Sequence, residues 1–152
     1  MTTDRSNHDE YGKELLRSIL GARWITRFDD RGCIEMEGGR ADLDGIILSE
    51  DLSRVECAVE IEARVYKQIR GAIFDLAQHP APRKLFVVIL AQPQLGNAGK
   101  ARRHCSFVWE RLTHADRVPF ALVVLQGSGE NPLTEADRVL LMESLRQLEL
   151  IH

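Results

Sequence analysis

Apolar residues recur along this chain at different intervals in different stretches, and each interval predicts its own kind of element. In EYGKELLRSILG, Leu15, Leu16, Ile19 and Leu20 share one helical face, and Gly21 ends the helix. Trp24, Thr26 and Phe28 then alternate with Ile25 and Arg27, Asp29 to Gly32 forms a tight turn, and Cys33-Ile34-Glu35-Met36 resumes as a short strand. After Gly38-Gly39, ADLDGIIL reads as one strand, SEDLSR as a polar turn and VECAVEIEAR as the next strand, together an antiparallel meander.

The interval then changes. In VYKQIRGAIFDLAQH, Val65, Ile69, Ile73 and Leu76 fall three to four residues apart until Pro80 and Pro82 stop the helix. KLFVVILA is a continuous apolar run, the pattern of a strand covered on both faces. NAGKARRHCSFVWERL is a polar-faced helix, VPFALVVL a second buried strand, and NPLTEADRVLLMESLRQLELI a last helix with Thr134 as its N-cap. The order α-βββ-α-β-α-β-α predicts an α/β fold, a mixed sheet with helices on both faces. Residues 10–152 are expected to form a single domain behind a polar, disordered tail at 1–9.

A length of 152 residues and a hydrophobic content of 44% suffice for one core. No apolar run approaches the roughly 18 residues of a membrane span, and the N-terminus lacks a signal-peptide core, so a cytoplasmic protein without a membrane partner is expected. The three cysteines, Cys33, Cys57 and Cys105, are widely spaced and predict structural thiols, with no disulfide framework and no CxxC metal site. A net charge of −3 argues against binding nucleic acid by bulk charge. It remains compatible with a DNA enzyme whose acidic site offsets a basic groove.

The unusual feature is acid in the strands. Alternate side chains on a strand share a face, so Asp42 with Asp44, and Glu60 with Glu62 and Arg64, make two same-face rows. Paired strands would bring three or four carboxylates together, an arrangement that repels itself unless a cation intervenes. Arg40, Arg64 and Lys67 are side-chain candidates. Mg²⁺ is a stronger one, because it takes oxygen ligands and binds through one or two carboxylates while keeping waters. The competing reading is a solvated strand face, which shows the same alternation. Turn chemistry after Gly38-Gly39 accounts for Asp42 but not for Asp44.

Lys100, Arg102, Arg103 and His104 form the densest basic run, which suits phosphate contacts as well as an ordinary exposed face. His79 reads as a helix-end group, and Trp24 and Trp109 as core or interface anchors. There is no Gly-rich phosphate loop and no GxSxG, so nucleotide-triphosphate and acyl-transfer chemistry find no support.

"RADLDGII", "AVEIEAR", "VYKQIRGAIFDLAQHP" and "RKLFVVIL", taken in that order, resemble the PD-(D/E)xK nuclease superfamily with its restriction-endonuclease-like three-layer α/β/α fold. The resemblance implies a Mg²⁺-dependent deoxyribonuclease, with Mn²⁺ able to substitute. Asp44 or Asp42 and Glu60 would be metal ligands, and Glu62 would stand where the family usually has lysine. That departure leaves Arg64 or Lys67 to replace the lysine's charge. Gln68 matches a helix glutamine near the site in several subfamilies, and Glu14 an acidic position near the metal. DNA is the implied partner, and the short chain adds the expectation of a homodimer on two-fold DNA. A relative that kept the fold and lost the reaction, serving as a nucleic-acid-binding or assembly subunit, is the alternative.

Overall fold

The computed structural model describes residues 4–26, 30–63, 67–90, 98–112, 118–127 and 134–152. Among these residues four α-helices and seven strands follow in the order α1 (Asp4–Leu20), β1 (Trp24–Thr26), β2 (Cys33–Met36), β3 (Gly39–Asp42), β4 (Gly45–Leu48), β5 (Val55–Glu62), α2 (Lys67–Gln78), β6 (Lys84–Ile89), α3 (Ala98–Leu112), β7 (Phe120–Leu125) and α4 (Glu135–Gln147). Five strands form a mixed sheet in the order β1-β4-β5-β6-β7, and β2 and β3 form a separate hairpin. β4 runs antiparallel to β1 and β5, while β5, β6 and β7 run parallel.

Each face of the sheet carries its own core. Val59, Ile61, Leu85, Val87, Val123 and Leu125 pack under α1 and α4. Ala58, Phe86, Val88 and Val124 pack under α2 and α3, whose inward residues include Ile69, Ile73, Leu76, Cys105 and Val108. Double coverage explains why every residue of β6 is buried, as the continuous apolar run predicts. Lys84 is the cost of that burial: its ammonium donates to the His79 carbonyl, and its pKa falls to about 8 because it is desolvated. His79 receives the Ala81 N–H on Nδ1 at 3.0 Å, so its proton sits on Nε2 and is donated to the Arg31 carbonyl at 2.7 Å. The His79 ring thus ties the end of α2 to the turn before β2, in place of the expected interaction with the helix's own terminal carbonyls.

Two expectations are corrected. α1 begins at Asp4, inside the stretch expected to be a disordered tail. Apolar periodicity marks only the buried part of a helix, here from Tyr11 onward, and the preceding turns have no such stripe to reveal them. The second correction concerns ADLDGIIL, which is two strands in two sheets. Its break falls at Leu43, whose N–H donates to the Gly32 carbonyl at 3.0 Å and whose side chain enters the core beneath α2 and α3. Asp44 then sends its own N–H to a carboxylate instead of a ladder carbonyl.

Thr134 caps α4 as expected, accepting the Asp137 N–H at 3.2 Å. Trp24 is a core residue, and Trp109 stacks on Phe120 with ring centroids 4.1 Å apart. Cys33, Cys57 and Cys105 are free thiols. Among the described residues, no helix is long and apolar enough to cross a membrane.

Candidate functional site

The register of β4 on β5 sets Gly45 opposite Val59, which places Asp44 at the level of Glu60 just where β4 begins. Two hydrogen bonds lock this corner. The Asp44 N–H donates to Glu60 Oε1 at 2.8 Å, and the Ile61 N–H donates to Asp44 Oδ2 at 2.8 Å. Each carboxylate therefore receives an amide from the other's strand. Gly45, the next residue, lets β4 lie close against β1, because a Cβ there would run into the Trp24 ring and lie 2.5 Å from the Ile25 carbonyl oxygen.

Glu60 and Glu62 alternate with Val59 and Ile61, so they face the α2/α3 side of the sheet. Glu62 is buried and accepts the Ala63 N–H at 3.1 Å. Burial does most to hold the Glu60 carboxyl well above its usual range; the Asp44 charge adds to it, the Asp44 N–H opposes it, and the charges of Asp75 and Glu62 add further repulsion. Asp75, on α2, is itself raised by burial. Four carboxylates, Asp44 just before β4, Glu60 and Glu62 on β5 and Asp75 on α2, thus share one electrostatic neighbourhood.

Asp75 did not emerge from strand alternation because it belongs to a helix. Its signal was available in the helical period: it lies three residues after the buried Ala72 and next to Leu76, on the border of the inward face. It is also the lone acid of α2.

Other expected site residues lie elsewhere. Asp42 stands opposite Cys33 in the separate hairpin and pairs with Arg40 at 3.2 Å, so it does not form a row with Asp44. The strand break at Leu43 is the reason. Glu14 is exposed on α1, across the sheet from Glu60, and pairs with Arg17 one turn along. Gln68 is exposed in the first turn of α2. Arg64 falls outside the described residues, and Lys67 is described only as the first residue of α2.

The donor set around Asp44 and Glu60 is entirely oxygen, the chemistry that suits Mg²⁺ or Mn²⁺, and a cation there would relieve the repulsion that raises Glu60. Among the described residues no three His, Cys, Asp or Glu side chains converge as a ready-made ligand set, so the arrangement is a pair with charged neighbours. The site lies toward the carboxyl end of β5, the edge of an open α/β sheet at which ligands usually bind.

The two helices that cover this side of the sheet are basic in composition. α2 and α3 hold six basic residues and two acids, a surplus of four in a chain whose net charge is −3. Comparison with protein-family models, curated proteins and solved structures finds no match to this chain.

Proposed function

We propose that the chain is a Mg²⁺-dependent phosphodiesterase of the restriction-endonuclease-like type that acts on DNA. The observation that carries this reading is the pairing of Asp44 with Glu60 by reciprocal amide bonds, on the sheet face covered by the basic helices. The strand order supports it as well: a meander whose second sheet strand opens after Asp44, a third with Glu60 and Glu62, then a helix and a parallel strand.

Asp44 and Glu60 would hold the ion. A bound divalent cation would supply Lewis acidity, acidifying water and offsetting charge on the phosphate. The backbone bonds fix both carboxylates before any ligand arrives, so little ordering entropy is lost on binding. Glu62 and Asp75 deepen the negative potential that favours a cation. Arg70 and the α3 basic residues would draw the phosphate backbone toward the same face. The three free thiols suit a reducing cytoplasm. A homodimer would match two-fold DNA.

Glu62 in place of the motif lysine favours a second reading, a binding or assembly subunit without catalysis. Thermal melting in Mg²⁺, Mn²⁺ or chelator separates the two. The active site predicts a higher melting temperature with metal, abolished by Asp44→Ala and by Glu60→Ala. Identical curves in metal and chelator for the unaltered protein would remove the metal site and leave the second reading.

A further inference from the structure

One surface is explained neither by the core nor by the carboxylates. On α3, Lys100, Arg103, Phe107 and Arg111 fall at spacings of three, four and four, which sets them in one row, and all four are exposed. Phe107 is 57% exposed, and the Arg111 guanidinium lies 4.9 Å from its ring centroid. On the adjacent α2, Arg70 and Phe74 repeat the combination four residues apart, with Phe74 44% exposed. Cations interleaved with exposed aromatic rings differ from an ordinary solvated face, which has no use for the rings.

We infer that this α2/α3 surface binds a single-stranded segment of nucleic acid, with unpaired bases stacking on Phe107 and Phe74 and the arginines and Lys100 contacting phosphates. Charge complementarity identifies a polyanion, since these helices are basic within an acidic chain. The rings narrow it to an unpaired strand. A base inside a duplex keeps its faces stacked on its neighbours, whereas a single strand offers free faces to aromatic side chains and guanidinium planes.

Topology links the row to the proposed catalytic site. α3 follows β6 and leads to the parallel β7, so Lys100 sits at the edge of the sheet where β5 ends and Arg111 at the far edge. The row between them is about 16 Å long, room for several nucleotides. The inference rests on the nuclease reading only for the strand's destination, because the row itself needs no metal.

The test is fluorescence anisotropy of the whole chain with a dye-labelled oligothymidylate and with the same strand in a duplex, in chelator, across a salt series. The expected result is tighter binding of the single strand. Phe107→Ala should weaken it about tenfold with the salt slope unchanged. Arg103→Ala should instead lower the slope by about 0.7. Phe107 is exposed, so a melting curve should show its variant folded. Equal weakening of single strand and duplex by Phe107→Ala, or no weakening, overturns the inference. So does loss of self-association in sedimentation with strand binding intact, which would make the rings a contact between copies. Strand preference in chelator without cleavage in metal would count against the nuclease reading alone, and cleavage without strand preference against this surface alone, so the two failures give different results.

Discussion

The Asp44 carboxylate accepts the Ile61 N–H at 2.8 Å while the Asp44 N–H donates to Glu60 at 2.8 Å, so the two acids are held together by backbone amides that would otherwise serve the β ladder. Charge-assisted bonds of this kind offset part of the repulsion between two carboxylates, and burial keeps the remainder large. The corner is satisfied in its hydrogen bonds and strained in its charge.

That strain has a pH signature. Glu60 holds its proton more tightly in the folded chain than in the unfolded one, where its ordinary pKa is 4.5. Its contribution to stability is therefore fully present below pH 4.5 and is lost as pH rises through the elevated folded value. In chelator, chemical denaturation should show stability falling across that window, at no more than about 1.4 kcal/mol per pH unit from this group. Glu60→Gln, which keeps an acceptor for the Asp44 N–H, should remove this group's share of the fall, leaving a fall from Asp75, raised by burial, and an opposing rise up to pH 6.5 from His79, lowered by burial. An unchanged slope in Glu60→Gln would show that the proton is held elsewhere.

Gly45 follows Asp44 and packs tightly against β1. Gly45→Ala should destabilise the fold by about 1–3 kcal/mol, because the added methyl meets the Trp24 ring and the Ile25 carbonyl, and backbone cannot swing away as a flexible side chain can. The accompanying shift of β4 should also weaken any metal response, since Asp44 is the preceding residue. Urea titration of the variant measures the first effect and melting with Mn²⁺ the second; a fully stable variant would mean β1 and β4 approach less closely than described.

A second polar junction binds the opposite face. Asp137, buried at the start of α4, accepts the Tyr11 hydroxyl at 2.6 Å and the N–H groups of Gln126 and Gly127 at 3.0 and 2.9 Å. Asp137→Ala orphans the two amides, leaves the Tyr11 hydroxyl only Thr134 Oγ1 at 3.4 Å, and should cost about 3 kcal/mol or more. Tyr11→Phe removes one donor and should cost about 1–2 kcal/mol. Equal losses in urea titration would contradict this ordering.

The parts of the fold visible in the sequence are those where one physical constraint acts alone. KLFVVI is buried on both faces and reads as such; the inward stripe of α2 and the Thr134 cap are equally local. The break at Leu43 was hidden because alternation of period two continues unbroken from Asp42 to Asp44 while the backbone changes sheets. Glu60 could be picked out from its strand, but its strongest electrostatic neighbour is 16 residues away and Asp75 lies on another element. Tyr11 and Asp137, 126 residues apart, give no local pattern at all.

The proposed role of Asp44 and Glu60 is to support metal-dependent cleavage of a phosphodiester. The most direct measurement incubates duplex, single-stranded and branched DNA with the protein in Mg²⁺ or Mn²⁺, beside Asp44→Asn and Glu60→Gln. Product is expected in metal and none in chelator, with at least a hundredfold loss in each variant, matching the roughly 3 kcal/mol that a removed transition-state group supplies. Cleavage by both variants at the rate of the unaltered protein, or no cleavage of any substrate by a protein whose melting curve ignores the metal, would contradict it.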